Sequence, residues 1–211
     1  MNKLPKRFVE KMNGTIDLTD QTNTKGKIFS AAAKLFAQKG YNGVSMRELS
    51  ESTGLSKPTI YYYFGNKEGI YTALVEAGLH YGVEIFQKIV DQDIPIKDKI
   101  VQVVKVRFQQ VLEYPDFAKF FLVVFTSSEK LPFLEDFIKE SIERRKMLVD
   151  LIKEGIKRKE FGPSANPELA AEVFVGALMH FIMKQLNSRK VILSDKLAED
   201  LVEFLFRGLN E

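Results

Sequence analysis

The sequence has no cysteine, no tryptophan and only two histidines. Without cysteine the chain cannot form a disulfide, a thiolate zinc site, an iron–sulfur cluster or a cysteine nucleophile. Its two imidazoles, His80 and His180, lie far apart in the sequence, so a Ser-His-Asp triad or a histidine-rich metal site has little to draw on. We therefore expect neither an enzyme nor a bound cofactor or metal.

Long hydrophobic runs are also missing. No apolar stretch approaches the ~18 residues that a membrane-spanning helix needs. Lys3, Lys6, Arg7 and Lys11 near the N-terminus are not followed by the apolar segment of a signal peptide. The 211 residues are 45% hydrophobic and 28% charged, which is enough chain for one or two domains with a real core. We expect a soluble, cytoplasmic protein with no membrane contact.

Charge is unevenly distributed along the chain, although the net charge is only +3. Residues 24–67 contain seven basic and two acidic side chains, whereas residues 68–211 contain 20 basic and 23 acidic ones. A basic segment attached to a slightly acidic body suggests a polyanionic partner for that segment. The alternative is that these basic residues only form a solvated surface.

Apolar residues recur with helical spacing almost throughout, and no segment alternates with period two over a strand's length. The sequence therefore predicts an all-α fold of about nine helices. Breakers and turn formers dominate residues 1–23, which we interpret as an N-terminal extension. The predicted helices are 24–39, 45–52, 57–63, 67–91, 95–113, 116–127, 131–159, 167–187 and 195–209.

The second and third predicted helices are short and sharply delimited. Ser45 and Glu48 have the spacing of a capping box, which opens the second helix. Gly54 supplies a tight turn, Ser56 can cap the third helix, and Pro58 falls in its first turn, where a missing N–H does no harm. Helix, glycine turn and helix in this order predict a helix-turn-helix.

The third helix presents aromatic side chains on its outer face. Ile60 and Phe64 share one face and can close a small core. The residues that point away from it are Lys57, Thr59, Tyr61 and Tyr62. In a major groove, tyrosine hydroxyls can meet phosphates and the rings can meet thymine methyls. Alternatively, the tyrosines, Tyr63 above all, pack against the following helix.

Arg47, in the first turn of the second helix, can read a guanine by a bidentate pair. Its alternative partner is Glu51, four residues further along the helix. Ser45, Thr59 and Lys67 are candidates for phosphate contacts, which position a domain without reading sequence. Lys67 also stands at a predicted helix N-terminus, where backbone amides favour an anion.

Residues 24–70 resemble the DNA-binding domain of the tetracycline-repressor family of bacterial transcription regulators. The motifs that carry the resemblance are Ala31-Ala32-Ala33-Lys34-Leu35-Phe36, Lys39-Gly40-Tyr41, Ser45-Met46-Arg47-Glu48-Leu49, Gly54-Leu55-Ser56, Thr59-Ile60-Tyr61-Tyr62-Tyr63-Phe64 and Asn66-Lys67-Glu68. Tyr63 stands where the family often has histidine, and the leader of 23 residues is longer than most. The basic residues of that leader are a possible second contact with DNA.

The resemblance implies a homodimer with a larger helical domain, residues 71–211, that binds a ligand and dimerises. Positions that match the family's DNA-facing residues are Ser45, Arg47, Lys57, Pro58, Thr59, Tyr61, Tyr62, Tyr63 and Lys67. We expect double-stranded operator DNA as the partner of residues 24–70 and a small lipophilic effector for the rest. The function expected is that of a repressor which binds a pseudo-palindromic operator and is released by the effector.

Thirteen of the 17 phenylalanines lie beyond residue 67, which suits an aromatic pocket or simply a core. The candidate pocket residues are His80, Tyr81, Phe108, Phe121, Phe125 and Phe181. His80 and Tyr81 can equally be plain surface residues. If no such pocket exists, the same fold suits an adaptor that binds DNA and recruits a partner protein without any small effector.

The last two predicted helices carry candidate dimer contacts. Their narrow apolar stripe of small residues allows close helix approach, and two helices from each subunit make a four-helix interface in the family. The candidates are Val173, Gly176, Ala177, His180, Lys184, Leu201, Phe204 and Leu205. A single chain could instead bury these residues against one another.

Overall fold

A computed structural model describes residues 23–126 and 131–210, which form nine α-helices and one 3₁₀ turn, with no strand in those ranges. The helices are α1 Thr24–Lys39, α2 Met46–Thr53, α3 Lys57–Phe64, α4 Lys67–Val90, α5 Ile96–Glu113, α6 Pro115–Thr126, α7 Glu135–Lys157, α8 Pro167–Leu186 and α9 Asp195–Asn210. The all-α prediction is confirmed. The N-terminal extension and its possible basic arm lie outside the described residues.

One predicted helix was too long. Residues 131–159 were expected to form a single helix, but the chain makes a 3₁₀ turn over Pro132–Leu134 before α7 begins at Glu135. Proline lacks the N–H that a helix interior needs. At the other end, Lys159 adopts a left-handed φ of 61°, which is uncommon for a residue other than glycine and ends the helix.

The chain divides into two compact units, Met1–Gly78 and Leu79–Glu211, with the division inside α4. In the first unit the core forms where α1 to α4 meet. Its large, fully buried side chains are Ile28, Phe29, Phe36, Leu49, Ile60, Ile70 and Leu74. The Phe29 and Phe64 rings lie 5.2 Å apart, so the half-buried Phe64 covers the edge of this core.

In the second unit, α5, α7, α8 and α9 pack around one hydrophobic core. The contributors include Ile100, Val104, Phe108, Ile152, Ala171, Phe174, Ala198, Val202 and Phe206. The Phe161 ring meets the Phe206 ring edge-on at 4.4 Å. α8 is long and apolar enough to cross a membrane by length and composition alone, which is weak evidence because a core helix passes the same test.

Two side chains hold the corner between α4 and α5. The buried Lys99 amine donates to the Val90 carbonyl at 2.6 Å, and the Glu160 carboxylate accepts from the Ile96 N–H at 2.6 Å. Each satisfies a backbone group that a helix end would otherwise leave unpaired. The last turn of α4 and the first turn of α5 are therefore fixed by side chains from α5 itself and from beyond α7.

Candidate nucleic-acid interface

The junction between α1 and α2 is built on Glu48. Its carboxylate accepts from the Ser45 N–H at 2.9 Å while the Ser45 hydroxyl accepts from the Glu48 N–H at 3.2 Å, so the predicted capping box is confirmed. Lys39, the last residue of α1, donates to the same carboxylate at 2.5 Å. The hydrogen bond from Lys39, followed by those from Ser45, lowers the pKa of Glu48 to about 2.

The turn between α2 and α3 closes on its own backbone and hydroxyl groups. Gly54 adopts the left-handed φ of 67° that the turn requires, and the Ser50 hydroxyl donates to the Leu55 carbonyl at 2.6 Å. Ser56 caps α3 by accepting from the Thr59 N–H at 3.3 Å, and Pro58 stands in the first turn. The predicted helix-turn-helix is therefore present, with α3 as its second helix.

The inward and outward faces of α3 are those that the sequence predicted. Ile60 is fully buried, whereas Tyr61 is 45% exposed and Tyr62 is 85% exposed. Tyr63 is 37% exposed, and its ring meets the Tyr62 ring edge-on at 5.3 Å. Tyr62, which is left so open on a short helix, adds little to the stability of the fold, because little of its area leaves water. The contact of these rings with DNA stays a prediction.

The remaining polar candidates differ in how free their side chains are. Lys57 and Pro58 are exposed at the start of α3. The Ser45 hydroxyl belongs to the capping box, and the half-buried Thr59 shares a hydrogen bond with Ser56 over 2.8 Å. The Ser45 and Thr59 hydroxyls therefore already have hydrogen-bond partners within the domain. A contact of either hydroxyl with a phosphate stays a prediction.

Arg47 has the alternative partner that the sequence left open. Its Nε donates to Glu51 Oε1 at 2.7 Å, and both side chains are largely exposed. That hydrogen bond raises the pKa of Arg47 above its ordinary value. An exposed ion pair contributes little to stability, so the guanidinium can exchange Glu51 for a base edge at small cost.

Lys67 has a role that the sequence did not predict. Its amine donates to the carbonyls of Tyr41 and Val44, both at 2.9 Å, and lies 4.3 Å from the centre of the Tyr41 ring. The Lys67 side chain thereby ties the first turn of α4 to the loop that leads into α2. A phosphate contact by Lys67 stays a prediction, and it now competes with this internal tie.

The candidate pocket residues differ in how far they are buried, and their part in a pocket stays a prediction. Phe108 is 2% exposed and belongs to the core, and Phe181 is half-buried against that core, as the alternative interpretation held. His80 and Phe121 are half-buried, while Tyr81 and Phe125 are more than two-fifths exposed. An open groove of about 470 Å³ lies elsewhere, between α5 and α9. Its lining is mostly charged: Lys97, Asp98, Lys105, Lys196, Glu199, Asp200 and Glu203, with Val101 and Gln102.

The candidate dimer residues of α8 lie on an open face. Val173 is 56% exposed, Gly176, His180 and Lys184 are exposed, and Ala177 is half-buried. An added side chain at Gly176 would meet nothing within 4 Å. On α9, Phe204 is 80% exposed, whereas Leu201 and Leu205 pack against the core as half-buried residues. This single chain therefore leaves much of the predicted stripe uncovered.

Two side chains with clear contacts were named in a motif but given no role in the sequence interpretation: Tyr41 and Lys39. Tyr41 and Lys39 receive partners from α4 and α2, and neither partner lies within one helical turn in the chain. In the described ranges no three acidic or histidine side chains gather where they could hold a metal.

Residues 28–74 match the family model for bacterial regulatory proteins of the tetR family. Among curated relatives, the HTH-type transcriptional repressor AcnR of Corynebacterium glutamicum is 42% identical over 53 residues. That alignment covers 25% of this chain and 28% of AcnR, so the match spans less than a third of the relative's length. The first unit therefore carries a tetR-family helix-turn-helix domain, and relatives of that domain are transcriptional regulators.

Solved structures match over most of the chain. A candidate fatty acid metabolism regulator from Clostridium perfringens is 25% identical, with a TM-score of 0.72, over 86% of this chain and 97% of that one. The transcriptional regulator FadR from Bacillus subtilis, solved in complex with stearoyl-CoA, is 21% identical, with a TM-score of 0.71, over 87% and 98% of the two chains. The second likeness shows a shared fold.

Proposed function

We propose that this chain, whose first unit is a tetR-family helix-turn-helix domain, is a transcriptional repressor that binds a pseudo-palindromic operator as a homodimer and is released by a small lipophilic effector. The observation that carries the proposal is the face of α3. Ile60 closes the core, while Lys57, Tyr61 and Tyr62 stay open to solvent. The proposal places the protein in the cytoplasm, where operator DNA is found.

The candidate DNA-binding residues fall into two groups: those that would recognise bases and those that would position the domain on the phosphate backbone. Arg47 and the open rings of Tyr61 and Tyr62 are of the kinds that contact base edges, and Lys57 and Tyr63 are of the kinds that contact phosphates. A single short recognition helix contacts few bases, so two recognition helices, one from each subunit, are needed. Two recognition helices about 34–36 Å apart meet successive major grooves, and an operator with matching two-fold symmetry follows.

The homodimer is supported by the open face of α8. Large exposed apolar residues such as Phe204 on α9 and Val173 on α8 are more typical of an interface than of a monomer's surface. The glycine at 176 leaves room for close approach of a partner helix. Because the stripe lies in the second unit, we propose residues 71–211 as the ligand-binding and dimerisation domain and residues 24–70 as the DNA-binding domain.

An effector is supported by α6 and by residues 76–87 of α4, because none of those α4 residues is buried. Among the apolar residues of α6, only Phe120 is buried, and Phe121 to Val124 stay half-buried. A structure of similar fold holds stearoyl-CoA, which combines a long apolar chain with a charged group. To change the dimer from mostly bound to mostly free, the effector must favour one state by about 10⁴-fold, or about 5.5 kcal/mol shared between two sites.

The test is fluorescence anisotropy of the purified protein on duplex DNA from the region upstream of its own gene. We expect tight binding that weakens with salt, prefers this duplex over a scrambled one and is weakened by a lipophilic extract of the host cells. The double variant Tyr61→Ala, Tyr62→Ala is the matched control, because both rings are open and their loss should leave the fold intact.

Two other results would change the conclusion. Equal binding to the scrambled duplex, by wild type and double variant alike, would contradict the operator-binding proposal. Tight, selective binding that no extract alters would favour the adaptor, which recruits a partner protein and has no small effector.

A further inference from the structure

α8 leaves an apolar face open. The helix is apolar and long enough to cross a membrane by composition, yet only 22% of that segment is buried within the chain's own fold. Its exposed residue Leu169 is four positions from the exposed Val173 and fourteen from the exposed Met183, spacings that return to one side of a helix. Exposed apolar side chains that share one face mark a surface which another molecule covers.

Five exposed residues at a spacing of four form a row across the same face: Glu168, Glu172, Gly176, His180 and Lys184. Residues four apart stand one above the other, so the row is a continuous ridge of the helix. Two carboxylates precede Gly176, and an imidazole and an amine follow it at matching distances. The two halves of the ridge are therefore complementary in chemistry.

This order fits a second copy of the same ridge laid antiparallel. When two such ridges cross at Gly176, a residue before the glycine faces the residue at the same distance after it in the partner. Glu172 then faces the partner's His180 and Glu168 faces the partner's Lys184, and the two-fold axis repeats both pairs. A parallel arrangement would instead bring like groups together at all four positions, which costs affinity.

Two apolar rows at the same spacing run beside the charged ridge, and none of their residues is buried. They are Leu169, Val173 and Ala177 on one side and Val175, Met179 and Met183 on the other. Helices whose ridges of spacing four align cross at about 50°, and in the antiparallel arrangement each apolar row then lies beside its own copy. In the described part of the chain an added Cβ at Gly176 meets nothing within 4 Å, so two backbones can approach closely at the crossing.

The two carboxylates of the ridge are held in place by cations of α7. The Lys153 amine donates to Glu168 and the Arg145 guanidinium donates to Glu172, each at 2.7 Å, and all four side chains are exposed. The hydrogen bond from Lys153 lowers the pKa of Glu168. A carboxylate has acceptor sites for more than one donor, so each can take a donor from the partner without releasing its own. The acidic half of the ridge is therefore oriented before a partner arrives.

We propose that α8 packs antiparallel on α8 of a second copy of this chain, centred on Gly176, with Glu172 opposite the partner's His180 and Glu168 opposite the partner's Lys184. The inference rests on the proposed function, because it gives the homodimer proposed there its register, meaning which residues of the two helices face each other. The order of charges then decides which partner fits. A protein with a similar apolar face but another charge order would place like charges together, so the ridge selects a copy of the same chain.

Cysteine cross-linking of the full chain tests the register, since the sequence has no cysteine to interfere. Three variants are oxidised with copper phenanthroline and run on non-reducing gels: Glu172→Cys, His180→Cys and the double variant with both. The two positions are about 12 Å apart along one helix, whereas a disulfide spans about 4–7 Å between Cα atoms. The double variant therefore cannot close the bond within one chain.

We expect the double variant to cross-link into a covalent dimer, because each cysteine faces the other position across the interface. Each single variant should stay uncross-linked, because the two copies of one position lie about 12 Å apart, on either side of Gly176. A single variant that cross-links as readily as the double one overturns the register. A double variant that sediments as a dimer without cross-linking overturns it as well.

Charge exchange tests the same register without cysteine. Lys184→Glu places two acids opposite each other twice in the dimer and should weaken dimerisation about 10-fold in sedimentation experiments. Adding Glu168→Lys restores both pairs and should bring dimerisation to within about 3-fold of wild type. Lys190→Glu is the matched control, because Lys190 is exposed beyond the end of α8 and outside the ridge. Loss of dimerisation in the control, or none in Lys184→Glu, overturns the pairing.

Native mass spectrometry separates antiparallel from parallel packing. The variant with Glu168→Lys and Lys184→Glu is mixed with wild type. In the antiparallel register the two chains should form few mixed dimers, because both exchanged positions then face a like charge. A parallel register would favour the mixed dimers and overturn the proposal.

The same measurements distinguish failure of this inference from failure of the proposed function. If wild type is a dimer that binds operator DNA but the register tests fail, the repressor proposal stands and only the register is wrong. If wild type stays monomeric at every concentration, with and without operator DNA, the homodimer fails and the register fails with it. A monomer that floats with vesicles of phosphatidylcholine and phosphatidylglycerol would assign the apolar face of α8 to a membrane and overturn the proposal.

Discussion

Substitution of Arg47 tests whether this side chain recognises a base in the operator. Arg47→Ala should weaken operator binding by about 1–3 kcal/mol and relax the preference at one base position, because a bidentate pair with guanine is lost. The measurement is anisotropy on duplexes that vary one base pair at a time. Lys34→Ala removes an exposed cation from α1 and serves as the control, with no change in base preference expected.

An Arg47→Ala protein that matches wild type at every base position would contradict the assignment. Arg47 would then be only the partner of Glu51, which is the contact it makes in the absence of DNA.

Lys67 should affect stability as well as DNA binding. Lys67→Ala removes the side-chain donor from the Val44 carbonyl and from the Tyr41 carbonyl, which keeps a bond from the Val44 N–H at 3.4 Å. The free energy of unfolding should fall by about 1–3 kcal/mol. If Lys67 also contacts a phosphate, the salt dependence of DNA binding should flatten by about one unit for all sequences alike. Thermal unfolding and a salt titration separate the two effects.

If the melting temperature falls but the salt dependence of DNA binding is unchanged, Lys67 stabilises the loop before α2 and does not contact a phosphate. An unchanged melting temperature would show that the tie to Tyr41 and Val44 does not matter for folding.

At the scale of the helical elements, the capping signals were sufficient to predict most helix ends. Ser45 and Ser56 cap α2 and α3 as predicted, and Asn166 caps α8 by accepting from the Leu169 N–H. Such signals act within one turn, so a single stretch of sequence contains them. The failure at Pro132 has the same local origin, because the proline was assigned to a helix start and instead belongs to a 3₁₀ turn.

The α1–α2 junction should be sensitive to acid. The pKa of Glu48 is about 2 in the folded chain and near its ordinary 4.5 when unfolded, so the unfolded state binds the proton more readily. The stabilisation by Glu48 is therefore complete above about pH 5 and is lost as the pH falls through 4.5 towards 2. Urea unfolding of wild type and Glu48→Gln between pH 7 and 3 measures it.

The stability difference between wild type and Glu48→Gln should shrink as the pH falls. Glu51→Gln, on the same helix, controls for the loss of one carboxylate from α2. If the difference in unfolding free energy between wild type and Glu48→Gln stays constant from pH 7 to pH 3, the bonds to Lys39 and Ser45 do not lower the pKa of Glu48.

At the scale of the whole molecule, the prediction concerns the open stripe on α8 and α9. The double variant Val173→Glu, Phe204→Glu puts charge on two exposed apolar positions, so the fold of one chain should survive. A dimer that uses this face should dissociate, and operator affinity should fall at least about 100-fold because two linked half-sites become one. Analytical ultracentrifugation and anisotropy provide the two measurements.

Val191→Glu is the matched control, since Val191 is 76% exposed but lies outside the helices. It should leave both the mass and the operator affinity unchanged. A double variant that sediments like wild type would place any dimer contact elsewhere.

The sequence predicted the fold class, the order of helices and the outward face of α3, all of which depend on periodicity and nearby caps. It did not predict the tie between Lys67 and Tyr41 or the approach of Arg107 to Gly82. In both pairs the residues are about 25 positions apart, and only the packed fold brings them together. Phe108 lies in the core, and its place in a pocket stays a prediction, since a core phenylalanine and a pocket phenylalanine have the same helical spacing.

The division of the chain inside α4 affects how the protein is made on the ribosome. The first half of this helix supplies Ile70, Leu74 and Val75 to the core of the first unit, so it can fold as soon as residue 78 has emerged. At about 5–20 residues per second, the rest of the chain follows over roughly 7–27 seconds. We therefore expect α4 to form in two stages during synthesis, with a DNA-binding unit complete long before the remainder of its own last helix is in place.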